Sequence, residues 1–344
     1  MIRFDSDYTE GCHPKILEAL AATNLEQHPG YGEDAHCARA RALIRDACAV
    51  SETEADVHFL VGGTQVNCVV ITAALRPWEG VLSAESGHIA CHETGAIEAA
   101  GHKVLTLPHE NGKIDAETLE RAIAAARNDP NAEHIVQPGM VYISQPTEFG
   151  TVYSRAELEA ISAVCRAAGL PLYLDGARLG CALAALPELT LADYARLCDV
   201  FTIGGTKMGC LFGEAAVICA DRLKPCFRNV MKQRGGMLAK GRLLGVQFEA
   251  MFEDGLYFAC GEAAVGAARR IRAALAEKGL PLADSPTNQL FVFLTRAQRA
   301  ALEKEFALGV WDTTGGETDV LRICTSWATT PEQTDRLIEA IRNL

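Results

Sequence analysis

Leu172-Tyr173-Leu174-Asp175-Gly176-Ala177-Arg178 decides the reading of this chain, together with Asp199-Val200-Phe201-Thr202-Ile203-Gly204-Gly205-Thr206-Lys207 further along. Each is a short apolar run that reads as a buried strand and stops at a polar or glycine-rich end. In an open α/β sheet, ligands bind outside the carboxyl ends of the strands. Asp175, Arg178 and Lys207 are therefore expected to converge on one crevice. That trio suits pyridoxal phosphate. The lysine forms the Schiff base, and the aspartate keeps the pyridinium nitrogen protonated so that the ring accepts electrons.

Outward from these two runs the same rhythm continues. Residues 57–61, 80–83, 103–107, 141–144 and 216–219 read as further strands. Helices are predicted over 38–48, 64–75, 88–100, 116–126 behind Asp115, and 155–168 between a Ser154 cap and the stop at Gly169. Alternating strand and helix predicts a mostly parallel sheet flanked by helices. Beyond residue 240 the pattern changes. Helical stretches at 239–252 and 259–278 precede a strand at 289–294, a helix at 297–305, a strand at 320–324 and a helix at 331–341. The expected division is an N-terminal arm and large cofactor-binding domain over 1–240, with a smaller α+β domain over 241–344.

The 344 residues suffice for a large core, and 49% apolar with 22% charged residues is ordinary for a globular chain. A formal net charge of −12 argues against a nucleic-acid partner, whose phosphates need a basic face. No apolar stretch is long enough to span a membrane, and the first residues lack the apolar core of a signal peptide. The 13 cysteines are scattered and form no C-x-x-C pair. They read as reduced, buried small hydrophobes, which implies a cytoplasmic location.

Gly62-Gly63-Thr64-Gln65 joins a strand to a helix and offers backbone N–H groups and a helix dipole to a phosphate. His88 and His92 share a helix face at i, i+4. That spacing permits a metal, but the H-E-x-x-H order is absent and no third ligand is evident, so no metal ligands are assigned. His88 fits better as a ring stacked on the cofactor. Taken singly, Asp175, Arg178 and Lys207 each have an ordinary structural reading as a turn cap, an ion-pair partner and a solvated lysine. Together with the phosphate turn they are hard to explain by chance. Arg322 lies inside an apolar strand, where an arginine needs a partner. A substrate carboxylate is one candidate and an ion pair between domains is the other.

These residues resemble a known family. Ser6-Asp7, Tyr31-Gly32-Glu33-Asp34, Gly63-Thr64-Gln65-Val66-Asn67, His88, Asp175-Gly176-Ala177-Arg178 and Lys207 occur in the order found in threonine aldolases, of the threonine aldolase/β-eliminating lyase family. The resemblance covers nearly the whole chain. It implies the aspartate-aminotransferase-like α/β fold (fold type I) and a pyridoxal-phosphate-dependent carbon–carbon lyase. Such an enzyme cleaves L-threonine, L-allo-threonine or a related β-hydroxy-α-amino acid to glycine and an aldehyde. It further implies phosphate binding at Gly63, Thr64 and Gln65, ring stacking by His88, and Asp175 on the ring nitrogen. Arg178 then lies near the ring oxygen and the substrate carboxylate, and Arg322 and Ser6 bind that carboxylate. Tyr31 and the segment 232–240 come from a neighbouring subunit of a homodimer or homotetramer. Two departures stand out. Glu148 occupies the place of a family histidine that reaches the substrate hydroxyl, and Thr206 and Met208 replace the usual serine and glycine beside the lysine. The proton acceptor is then His88, Glu148 or a water between them. The rival readings are a β-eliminating lyase with the same cofactor, a metal-dependent hydrolase using His88 and His92, and a non-catalytic member of the fold.

Overall fold

The computed structural model describes residues 1–313 and 317–344. Its strands are β1 Ile2–Phe4, β2 Asp56–Leu60, β3 Glu79–Ala84, β4 Lys103–Leu107, β5 Gln137–Ser144, β6 Leu172–Asp175, β7 Val200–Gly204, β8 Glu214–Ile218, β9 Gln289–Thr295, β10 Phe306–Thr313 and β11 Thr318–Cys324. Seven of them form one sheet in the order β2-β8-β7-β6-β5-β3-β4. β8 runs antiparallel to both β2 and β7, and the remaining neighbours are parallel.

Alternate residues of this sheet feed two apolar layers, as the period of two requires. Phe201, Ile203, Ala215 and Val217 enter one cluster, and Val200, Ala216 and Ile218 enter the other. With both faces covered, β6, β7 and β8 are buried along their whole length. Each such Ile, Val or Phe contributes about 1.5–3 kcal/mol by leaving water. At the ends of β6 and β7 the backbones come close enough to demand glycine. A Cβ at Gly176 would strike the Thr202 carbonyl oxygen, and one at Gly204 would strike that of Ala177.

The second sheet has the order β1-β10-β11-β9. Its core (Phe4, Leu290, Val292, Leu294, Leu321 and Ile323) packs against Leu337 and Ile341 of the helix Pro331–Arg342. The helix Leu256–Glu277 belongs to both bodies. Leu256 to Val265 pack in the large core, and Ala268 to Leu275 pack in the small one. The expected boundary at 240/241 falls just ahead of the helix Arg242–Glu253, whose Leu244, Phe248 and Met251 lie in the large core. The division of the apolar cores comes later, inside the next helix. β1 crosses back to pair with β10, so the chain's first strand sits in the small sheet.

The helix expected over 88–100 is two short ones, His88–Cys91 and Ala96–Ala99. Thr94 and Gly95 between them have φ of +54° and +71°. A left-handed pair cannot continue a right-handed helix. The Ser154 capping box and the Gly169 C-cap are present where the sequence placed them.

Candidate active site

Five strand ends meet at one edge of the large sheet. β2 ends at Leu60 before the Gly62-Gly63 turn, β5 at Ser144, β6 at Asp175 and β7 at Gly204. β8 runs the other way and contributes its first residue, Glu214, which pairs with both Gly204 and Leu60. Between these ends lies a cavity of 270 Å³. Gly63, Thr64, His88, Glu148, Asp175, Arg178, Thr206 and Lys207 all line it. Cavities of 380 Å³ beside Lys113 and 530 Å³ beside Cys48 are larger, but neither gathers these strand ends.

Asp175 is 7% exposed and fully engaged. Its Oδ2 accepts from Tyr142 Oη at 2.7 Å and Asn67 Nδ2 at 3.2 Å. Its Oδ1 accepts from the Ala177 N–H at 3.0 Å. Tyr173 donates to Asn67 Oδ1 at 2.6 Å, which fixes the amide so that its nitrogen faces the carboxylates. Asn67 also donates to Glu93 Oε1 at 2.7 Å, and the same oxygen faces His88 Nδ1 at 2.8 Å. Burial disfavours a charged His88, but the Glu93 hydrogen bond and the charges of Asp175 and Glu93 outweigh it and raise its pKa.

Glu148 follows β5. Its Oε1 accepts from Ser144 Oγ at 2.7 Å and from the His88 backbone N–H at 2.8 Å. Burial is the largest influence on its carboxyl and raises its proton affinity. That is the condition under which a carboxylate becomes a useful base near neutral pH.

Lys207 has no hydrogen-bond or ion-pair partner among the described residues. Burial lowers its pKa, and the Arg178 charge adds to that. Glu214, 5% exposed, lines the same cavity, and its Oε2 is buried without a partner. Its carboxyl is pushed up by burial, against the pull of Lys207. Thr206 Oγ1 accepts from the Gly213 N–H at 3.1 Å and so pins the loop between β7 and β8.

The two arginines differ. Arg178 makes a bidentate ion pair with Asp7, with Nη2 at 3.0 Å from Oδ1 and Nε on Oδ2. Asp7, 1% exposed, also accepts from Asn288 Nδ2 at 2.9 Å. Burial works to raise the Asp7 pKa, but Arg178 dominates and holds it at about 2. Arg322 has no carboxylate partner among the described residues. Its Nη2 donates to the Asp5 carbonyl at 3.1 Å, its guanidinium lies 5.5 Å from the Trp311 ring centroid, and its Nε is buried and unpaired. Ser6 Oγ, one residue from Asp5, is likewise buried and unpaired.

Four residues named from the sequence do not line this cavity: Ser6, Tyr31, Gln65 and Arg322. The Gln65 side chain is taken up by backbone, receiving from the Val61 N–H and donating to the Arg234 carbonyl. Tyr31 does not line the cavity of its own chain. It is 46% exposed, and Lys232 Nζ sits 4.6 Å from its ring centroid. Tyr8 and Glu214, which line the cavity, and Tyr142, which bonds to Asp175, were not named. Tyr142 and Ser144 alternate on β5, which was a readable sign that both point to the side of Asp175. Glu214 is a lone charge opening an apolar run, a sign of the same kind. His88 and His92 stand 5.6 Å apart as rings, but no third ligand joins them among the described residues.

All 13 cysteines are free thiols. Burial pushes those of Cys37 and Cys165 up to about 12, which keeps them protonated. No helix among the described residues is long and apolar enough to cross a membrane.

Comparison with known proteins follows the same outline. The family described as beta-eliminating lyase matches residues 3–297. A low specificity L-threonine aldolase of Pseudomonas sp. (strain NCIMB 10558) is 34% identical over 259 residues, covering 74% of this chain and 72% of that protein. One from Saccharomyces cerevisiae is 28% identical, covering 77% of this chain and 66% of that protein. The structure of Leishmania major threonine aldolase superposes with a TM-score of 0.96 at 46% identity, covering 100% of this chain and 99% of that one. Aspartate aminotransferase from Thermus thermophilus shares the fold alone, with a TM-score of 0.70 at 15% identity over 100% of this chain and 91% of that one. The architecture is thus the aminotransferase-like α/β fold of type I pyridoxal-phosphate proteins.

Proposed function

The chain belongs to the beta-eliminating lyase family, and we propose that it is a pyridoxal-phosphate-dependent aldolase that cleaves L-threonine, L-allo-threonine or a related β-hydroxy-α-amino acid to glycine and an aldehyde. The observation that carries this reading is an unpaired, half-buried lysine and an engaged aspartate on one cavity at the strand ends.

The family uses pyridoxal phosphate, and the residues present fit that group. The helix Gly63–Ala74 starts at the cavity with no side-chain cap on its first N–H groups, and a Cβ at Gly62 or Gly63 would meet nothing within 4 Å. That is open space in front of unsatisfied donors, which suits a phosphate. Lys207 would hold the cofactor through its amine, Thr64 and the Gly63 turn through its phosphate, and Asp175 through its ring nitrogen. When bound, the group supplies the electron sink for the bond that breaks at Cα.

The protein's own residues do the remainder. Tyr142, Asn67 and the Ala177 N–H hold Asp175 in place. Arg178 is committed to Asp7, so it acts as a fixed positive wall. Arg322 and Ser6, with donors to spare, grip the substrate carboxylate. That grip fixes rotation about Cα and aligns the Cα–Cβ bond for cleavage. Glu148 takes the β-hydroxyl proton. Ser144 and the His88 N–H anchor one of its oxygens and leave the other for the substrate. His88, tethered by Glu93, presents its ring to the cofactor. Assembly into a homodimer or homotetramer belongs to the same reading, with a neighbour's Tyr31 and its segment 232–240 completing the cleft.

The test is product analysis with L-threonine and added pyridoxal phosphate. Glycine and acetaldehyde in equal amounts are expected. A 2-oxo acid and ammonia in their place would make the enzyme a β-eliminating lyase.

A further inference from the structure

Among residues that do not line the cleft, three ligand-bearing side chains converge. Glu26, His28 and His36 bring one carboxylate oxygen and two ring nitrogens within 4.8 Å of one another, the one such group among the described residues. Both Nε2 atoms reach the same atom: His28 lies 2.8 Å and His36 2.9 Å from Glu26 Oε2. The two rings meet edge to face, with centroids 5.2 Å apart. The second nitrogen of His36 is also taken. Its Nδ1 lies 2.6 Å from Glu249 Oε2, on the helix Arg242–Glu253.

Carboxylates only accept, so His36 donates from both nitrogens and carries a positive charge in this arrangement. A proton on His36 Nε2 therefore occupies the point toward which an oxygen and two nitrogens are aimed.

We propose that Glu26, His28 and His36 form a binding site for a divalent metal of the zinc class, with Glu249 orienting His36 from behind. Two imidazoles and a carboxylate with a fourth position open to water is a set that zinc accepts. Bonds of about 2.0–2.1 Å put tetrahedral ligand atoms about 3.3 Å apart, so the present contacts open by only about half an ångström. The open position is available, since the side chains of Glu26, His28 and His36 are 45%, 18% and 18% exposed. Glu249, His36 and the metal then form a carboxylate–histidine–metal triad. Binding releases the His36 Nε2 proton to solvent and keeps the Nδ1 proton on the ring, donated to Glu249. His28 moves its own proton to Nδ1 and coordinates through Nε2. The ion staples the segment that carries Tyr31 to the helix Arg242–Glu253.

The experiment is calorimetric titration of the chelator-treated holoprotein with zinc chloride alone, in buffers of different ionisation enthalpy. One strong site per chain and release of about one proton are expected, with affinity falling as the pH is lowered. Glu26→Gln and His36→Gln should each weaken binding by about 100-fold or more, and Glu249→Gln by about 10- to 100-fold. Unchanged cofactor absorbance shows that each variant is folded. Glu26 is partly exposed, so its variant tests the site even where His36→Gln fails to fold. Absence of a stoichiometric site, or zinc binding that survives Glu26→Gln at full strength, overturns the proposal.

Discussion

The two walls of the cleft are built on opposite principles. On the Asp175 wall the polar side chains bond to one another, and only Glu93 Oε2 among them is buried without a partner. Tyr142, Tyr173, Asn67, Glu93 and His88 form one connected network around the carboxylate. On the Lys207 wall the lysine has no partner among the described residues, and Glu214 Oε2 is buried alone. A satisfied network fixes geometry. Unsatisfied buried groups are held in a state from which bonding to a ligand lowers their free energy. The difference teaches where positioning ends and reactivity begins.

Substitutions on the two walls test that contrast. The largest effect is expected at Glu148, which joins the network through one oxygen only. Glu148→Gln should lower kcat by about 10²–10⁴ and remove the acidic limb of its pH profile, because only the ionised carboxylate accepts the proton. Near-normal turnover would return the role to His88 or a water. Asp175→Asn keeps the shape of the network and removes its charge. A loss of about 10²–10³ in kcat is expected, with cofactor absorbance altered but present. A silent variant would mean that the ordered wall is scaffold alone.

Arg322→Ala should raise KM for the amino acid by about 10- to 100-fold, the worth of one or two charge-assisted hydrogen bonds. Cofactor affinity should change little. An equal change at Arg178→Ala without loss of stability would dissolve the distinction between the paired and the unpaired arginine. The smallest effect concerns acid stability. Asp7 titrates at about 2 in the folded chain, against about 3.9 when unfolded. The shift stabilises the fold by about 2–3 kcal/mol above roughly pH 5, a gain lost progressively as pH falls through 4 to below 2. Asp7→Asn should flatten that part of the stability curve, as read by denaturant titration.

Much of this arrangement was legible in the sequence. Apolar runs ending in Asp175 and Gly204 marked the strand ends, and their common sheet edge placed Lys207 and the Gly63 turn together. The reversed direction of β8 was not legible, because apolar runs such as Ala215 to Ile218 carry no sign of polarity. β10 escaped notice because its exposed residues, Val310, Asp312 and Thr313, break the alternation. The break at Thr94 was hidden by a helical pattern, though Gly95 beside it was a warning. Arg178 was readable as a cleft residue, but its tie to Asp7 was not, since pairing across that much chain depends on where β1 docks.

The account rests on Lys207 as the residue that takes the cofactor. The direct measurement is borohydride reduction of the holoprotein, followed by digestion and mass mapping of the pyridoxyl group. The account predicts a single modified peptide containing Lys207, and no stoichiometric label in Lys207→Ala. A stoichiometric label on any other lysine of the native protein would contradict it.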